Sequence, residues 1–324
     1  MSAFKVNEVF SREERTELTR RSDWRGAWEV FFSWAMIAGV LAVTAVWPNP
    51  LTILLALILL GGRQLGLAVL MHEAAHYTLF KSRGLNDFVG KWLAGGPVLE
   101  DVHEYRPYHF KHHKHTGVRA GEHKDPDLFL VRFYPLTRKG LRKWMLNDLI
   151  GRVGFNVYRA RMATKLGYLK PGPRGRLVKG DQHKKSIARQ LADVWRAYHA
   201  SFIVHGLLIA IFTLVGAPWL YLIWMAAQLT TFHFFMRVRV IAEHAMTEKS
   251  EDIFLNTRTT RAAWWERLLF APHYVNFHLE HHLMTAVPCY RLGKMHRMLM
   301  ERGALEKSPI AGGYREIIKM AAAA

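Results

Sequence analysis

Two long apolar segments constrain the fold of this 324-residue chain more than any other feature of its sequence. The first covers residues 27–71 and is interrupted by Pro48-Asn49-Pro50. The second covers residues 200–236 and contains no Asp, Glu, Lys or Arg. At ~1.5 Å per residue, each half is long enough for a helix that crosses most of the ~30 Å hydrocarbon core of a bilayer. The sequence therefore predicts an all-α integral membrane protein.

Short breaks divide both apolar segments, so each segment is expected to form a helical hairpin. Arg63 lies inside the second span, and a cation at that depth needs protein around it. We therefore expect Arg63 to pack against a neighbouring helix. The chain is predicted to be a single domain, 1–324, with four spans near residues 27–47, 51–71, 200–216 and 218–240. The remaining parts, residues 1–26, 72–199 and 241–324, would then form a helical cap on one side of the bilayer.

The formal net charge of +19 indicates which side that is. The hairpin tips carry no Lys or Arg, and basic residues concentrate on the cytoplasmic side of membrane proteins. We expect both termini in the cytoplasm and a location in a bacterial inner membrane. Since the basic residues follow this topology and form no recognition motif, nucleic acid is not an expected partner.

Three clusters of histidine indicate a metal site on that same side. The motifs HEAAH, HFKHH and HLEHH begin at His72, His109 and His278. Histidines four apart share one face of a helix, so the imidazoles of each cluster are expected to converge on one side. His244, just beyond the fourth span, is a further candidate. The predicted metal ligands are His72, His76, His109, His112, His113, His244, His278, His281 and His282.

Nine imidazoles exceed the needs of one ion, because a zinc site usually takes four ligands. Two ions with four or five nitrogen ligands each would use them all, and imidazole suits Zn, Cu, Fe and Ni alike. Neighbouring polar residues can orient ligating imidazoles from behind. The candidates for that role are Glu73, Asp101, Glu104, His115 and Glu280. No catalytic residue is predicted beyond the metal site.

Two other functions fit part of the pattern. HEAAH matches the H-E-x-x-H signature of zinc proteases, in which Glu73 would act as the general base. That interpretation uses two histidines and leaves the other two clusters unexplained. A metal transporter with histidine-rich loops is the non-enzymatic alternative, although such loops are usually of low complexity and these clusters have fixed spacings.

The motifs HEAAH, YRPYHFKHHKHT and VNFHLEHHLMTAVP resemble the three histidine boxes of the membrane fatty acid desaturase and hydroxylase superfamily. The resemblance covers about residues 50–300 and includes R-x-x-H-x-x-H-H-x-x-T from Arg106 to Thr116. It implies that the nine histidines bind two iron ions, with O₂ as co-substrate, and that the enzyme introduces a double bond into a fatty acyl chain carried by a lipid or a thioester. Hydroxylation or ketolation of a fatty, alkane or carotenoid chain is the alternative on the same scaffold, because ligand boxes do not distinguish these outcomes.

Electrons for such a reaction must come from another protein, since no haem, flavin or iron–sulfur motif is visible. A ferredoxin, a rubredoxin or a cytochrome would be suitable. The basic side of the membrane favours an acidic carrier. The stretch 170–185, rich in Pro, Gly and basic residues, is expected to be a flexible loop.

Overall fold

Helices dominate the computed structural model, which describes residues 6–121, 124–172, 177–180 and 185–323. The α-helices are α1 Val6–Val9, α2 Arg12–Leu18, α3 Asp23–Val46, α4 Pro50–Ala75, α5 Arg83–Phe88, α6 Val102–His115, α7 Leu128–Val131, α8 Arg138–Leu149, α9 Arg152–Lys165, α10 Ile187–Leu214, α11 Leu220–Leu229, α12 Thr231–His244, α13 Ile253–Asn256, α14 Trp264–Leu269, α15 His278–Leu283, α16 Cys289–Glu301 and α17 Tyr314–Ala321. A π-helix covers Val89–Gly95, and 3-10 helices cover Gly96–Val98 and Pro272–Tyr274.

The few strands among the described residues are short. Strand β1 (Leu169–Pro171) pairs antiparallel with β2 (Leu177–Lys179), and β3 (Thr259–Thr260) pairs parallel with β4 (Ile310–Ala311). The expected flexible loop over 170–185 is thus partly a β-hairpin. Residues 173–176 and 181–184 of that stretch lie outside the described residues.

In the part of the chain that the structure describes, three helical segments are long and apolar enough to cross a membrane: Arg12–Val46, Pro50–Ala75 and Ile187–Leu214. The turn between the first two is set by its sequence. The Asn49 side chain accepts hydrogen bonds from the amides of Leu51 and Thr52, and Pro50 occupies the first helical position, where its missing N–H costs nothing. The first predicted hairpin is therefore present, and α4 extends four residues beyond its predicted end.

The helix expected over 218–240 is instead two helices, α11 and α12, with a break at Thr230. The Thr230 hydroxyl donates to the carbonyl of Ala226 (2.6 Å), and the Thr231 hydroxyl donates to that of Leu57 on α4 (2.5 Å). Gly61 permits this approach, because a Cβ there would lie 2.2 Å from Thr231 Oγ1. The break turns α12 along α4 and directs its end, His244, towards histidines of the second and third clusters.

Arg63 is buried, as expected of a cation within a span. Its guanidinium donates to the carbonyl of Leu268 and lies 5.9 Å from the centroid of the Phe32 ring. The expectation that Arg63 packs against protein is confirmed, with α14 and α3 supplying the contacts.

Helix α4 is the centre of the main core, where it packs against α3, α11 and α12. A second, smaller core lies behind the third histidine cluster. There, Phe10 and Leu18 of the N-terminal segment pack against Leu279 of α15 and against Leu292 and Met295 of α16. The N-terminal segment thus covers the outer side of the elements that carry the cluster.

Candidate metal centre

The first two histidine clusters lie on α4 and α6, which are joined by hydrogen bonds. His72 is in the last turn of α4, and His76 is its C-terminal capping residue. Asp101 caps the N-terminus of α6, and its carboxylate accepts from the amides of His103 and Glu104. Arg106 ties the two helices together, since its Nε donates to the Ala75 carbonyl (2.9 Å) and its Nη2 donates to Asp87 (2.5 Å).

The third cluster follows a strained turn. His273 and Tyr274 both have left-handed backbones, with φ of 52° and 62°, which non-glycine residues rarely adopt. The His273 ring is held on both sides: Nδ1 lies 2.6 Å from a Glu29 carboxylate oxygen and Nε2 lies 2.9 Å from the Ser33 hydroxyl. Both partners are on α3, so the first span fixes the turn that leads into α15.

All nine predicted ligands come together, in two groups. The five-histidine group is His72, His76, His109, His113 and His281, and the four-histidine group is His112, His244, His278 and His282. Within each group the ligand nitrogens lie within 4.8 Å of one another. The expectation that the imidazoles of one cluster converge on one side is wrong, because His112 and His113 belong to different groups, as do His281 and His282. Adjacent residues are ~100° apart on a helix, so one imidazole of each adjacent pair faces each group.

The nitrogen spacings fit a bound transition-metal ion. Nε2 of His109 lies 2.9 Å from Nε2 of both His76 and His113, and Nε2 of His278 lies 3.0 Å from that of His244. Imidazole nitrogens bind such ions at ~2.0–2.1 Å. Ligands at right angles are then ~3.0 Å apart, whereas tetrahedral ligands are ~3.4 Å apart. Neighbouring imidazoles in each group are thus as close as two ligands of one ion. In addition, His72 Nε2 is buried without a hydrogen-bond partner in the described structure.

Polar groups behind four of the ligands lie within hydrogen-bond distance of their outer nitrogens. Nδ1 of His72 lies 3.2 Å from a carboxylate oxygen of Glu73, and Nδ1 of His112 lies 2.8 Å from a carboxylate oxygen of Asp125. Other ligands use neutral oxygens: Nδ1 of His282 lies 3.2 Å from the Thr116 hydroxyl, and Nδ1 of His244 lies 3.3 Å from the Asn256 carbonyl. An oxygen at Nδ1 favours the tautomer that leaves the Nε2 lone pair facing the group.

Burial keeps most of these imidazoles neutral. It lowers the pKa of His278, His281 and His282 well below the usual range, and the neighbouring imidazoles lower it further. For His112, burial also lowers the pKa, but the hydrogen bond to Asp125 and the charge of nearby carboxylates outweigh it, so the net shift is upward. Neutral imidazoles offer lone pairs to a metal ion at neutral pH without competition from protons.

The predicted outer residues have mixed positions. Glu73 contacts His72 and also accepts from the Thr78 hydroxyl (3.0 Å) and the Cys289 amide (2.9 Å), so it is engaged on every side rather than poised as the general base of a protease. Asp101 caps α6, Glu104 pairs with Lys165, and neither contacts a ligand. Glu280 binds His296 (2.6 Å) and Thr259 (2.5 Å), and thereby fixes α15 from outside. His115 belongs to neither histidine group.

Sequence reasoning missed three residues that lie behind the ligands. Asp125 lies in Asp125-Pro126-Asp127, after the second cluster. Its separation from the cluster along the chain is too large for the sequence alone to link the two. Glu243 directly precedes His244, and its Oε1 lies 3.4 Å from Nδ1 of His278. Asn256 contributes a backbone carbonyl, which no side-chain pattern can reveal.

The chain is similar to known proteins over most of its length. The family model described as fatty acid desaturase matches residues 45–311. Dihydrorhizobitoxine desaturase of Bradyrhizobium elkanii is 29% identical over 90% of this chain and 80% of its own length. An sn-1 oleoyl-lipid 12-desaturase of Anabaena variabilis is 25% identical over 76% of this chain and 68% of its own length.

Proposed function

Because the chain belongs to the fatty acid desaturase family, we propose that it is a membrane-bound diiron enzyme that introduces a double bond into the acyl chain of a lipid. The two histidine groups carry this proposal. Each group offers enough nitrogen ligands for one ion. The similarity to relatives named as oleoyl-lipid desaturases supports an acyl chain as the substrate.

In this proposal, the five-histidine group and the four-histidine group each hold one iron ion through Nε2. When bound, the two ions would supply the O₂-dependent removal of two hydrogens that desaturation requires. The protein's part is to hold the ligands rigidly. Asp125 and Glu73 orient His112 and His72, and the burial of six of the nine histidines limits the access of bulk water.

The proposed topology has four crossings, with α11 and the first part of α12 forming the fourth. The histidines would then lie on the cytoplasmic side, in a bacterial inner membrane, within reach of both a lipid and a soluble electron carrier. The net charge of +19 favours an acidic ferredoxin, rubredoxin or cytochrome as that carrier.

Metal analysis and lipid profiling test the proposal together. We expect about two irons per chain, one for each group of four or five imidazoles, and new unsaturated acyl chains in cells that express the protein. New hydroxylated chains would instead indicate a hydroxylase. One zinc with peptidase activity would refute the proposal.

Variants from each group sharpen this test. We expect His281→Ala in the five-histidine group and His112→Ala in the four-histidine group each to lower iron content and abolish turnover. His199→Ala is the matched control, since His199 lies on α10 and belongs to neither group. Full activity with unchanged iron in either group variant would contradict the ligand assignment.

A further inference from the structure

An apolar groove lies between α9 and α11, and none of its lining residues belongs to either histidine group. Phe155, Met162 and Leu166 line it from one side, and Met225 and Leu229 line it from the other. Its volume is about 500 Å³, within the ~300–1,000 Å³ range of small-molecule sites. A groove of this size can hold much of an acyl chain.

Large apolar side chains remain exposed around the groove. Helix α9 lies close against the end of α11, because a Cβ on Gly154 would lie 2.4 Å from the Leu229 carbonyl oxygen. At this junction Ile150 is 70% exposed and Phe155 is 62% exposed. Large apolar side chains that remain uncovered beside membrane-crossing helices are suited to contact with lipid.

A cation without a partner lies at the same place. Arg161 pairs with Glu100, and Lys165 pairs with Glu104 (2.6 Å). Arg159 lines the groove instead, and no carboxylate among the described residues pairs with it. The surroundings reinforce this charge: residues 132–170 contain ten Lys or Arg but one acidic residue, Asp148, which is itself paired with Arg237.

We propose that this groove binds an anionic phospholipid of the bilayer. One acyl chain lies along Phe155, Met162 and Leu229, and the phosphate contacts the Arg159 guanidinium, where the exposed Tyr168 at the groove can donate its hydroxyl. A cation beside an apolar surface is the chemistry that selects anionic over zwitterionic lipids. This site is separate from the iron centre and goes beyond the proposed function.

Thermal unfolding of the purified full chain in neutral detergent tests the proposal. We expect dioleoylphosphatidylglycerol, at roughly ten times its dissociation constant, to raise the melting temperature by about 3 °C. Dioleoylphosphatidylcholine and inorganic phosphate at the same concentration should leave it unchanged. Arg159→Gln should abolish the increase, and so should Ala163→Trp, which fills the groove. Arg315→Gln, an exposed arginine on α17, is the matched control and should retain the increase.

Three results would overturn the proposal: equal stabilisation by phosphatidylcholine, equal stabilisation by inorganic phosphate, or an undiminished effect of phosphatidylglycerol on Arg159→Gln. Native mass spectrometry provides a second measurement, in which the wild type should retain phosphatidylglycerol and Arg159→Gln should not. Both assays measure lipid binding without iron or turnover, so their failure is distinguishable from failure of the proposed desaturase function.

Discussion

Arg258 allows a quantitative test of how the fold holds one of the ligands. It is 2% exposed, and its guanidinium faces the C-terminal end of α12, where His244 is the last helical residue. The last carbonyls of a helix have no partner within the helix. Arg258 Nη1 donates to the carbonyl of Ala242 (3.0 Å) and Nη2 donates to that of Ala245 (2.8 Å).

Replacement by methionine keeps most of the side-chain volume and removes these donors. A hydrogen bond to a charged group contributes ~1.5–3 kcal/mol, and the two shortest bonds of Arg258 are both lost. Since methionine preserves much of the packing, we expect Arg258→Met to lower the free energy of unfolding by about 3–5 kcal/mol. Burial lowers the pKa of Arg258 to about 10, so the guanidinium is charged at neutral pH and the full charged interaction is lost.

The assay combines chemical unfolding with metal analysis. A frayed end of α12 would displace His244, so we expect the affinity of the four-histidine group for metal to fall by ~10–100-fold, while the five-histidine group keeps its ion. Arg258→Lys keeps the charge without the planar fork and should lose roughly half as much stability.

An unchanged unfolding free energy in Arg258→Met would refute the argument that this arginine caps α12. Normal stability with lost metal at both groups would also contradict it, because the predicted damage is confined to the end of α12. Arg258→Lys separates the role of charge from that of geometry.

Other contacts lead to further predictions. Asp125→Asn should weaken metal binding at the four-histidine group by ~10–100-fold with little effect on the melting temperature. A metal affinity equal to that of the wild type, measured by titration, would contradict the orienting role of Asp125. His273→Asn tolerates the left-handed backbone but loses both ring contacts, so it should destabilise the chain by ~2–4 kcal/mol in chemical unfolding. Phe10→Ala should cost ~3–5 kcal/mol by leaving a cavity behind the third cluster. Its control is the exposed ion-pair variant Lys294→Ala, which should unfold like the wild type.

The sequence predicts helices and ligands well where one local pattern determines the outcome. The Pro48-Asn49-Pro50 turn and the burial of Arg63 follow from proline geometry and from the cost of a charge in lipid, and both are present. The resemblance to the desaturase superfamily is confirmed by the match over residues 45–311. Those features need no information about distant parts of the chain.

The break at Thr230 could not be predicted in the same way. Uninterrupted hydropathy favours one continuous helix through this region, and only the closeness of Gly61 to Thr231 shows why α12 turns. That contact joins residues far apart in sequence. The same is true of Asp125 and Asn256, which reach the histidines through loops whose paths depend on the whole fold.

The division of the histidines, by contrast, follows from helix geometry applied strictly. Histidines four apart stay together in three cases: His72 with His76, His109 with His113, and His278 with His282. Histidines next to each other separate, because a rotation of ~100° directs them to different sides of the helix. The motif H-x-x-H-H on α6 and α15 therefore gives two imidazoles to one group and one to the other. The pair from α4 completes the five-histidine group, and His244 of α12 completes the four-histidine group. Two adjacent histidines at the end of such a motif are thus expected to contribute one ligand to each of two metal positions.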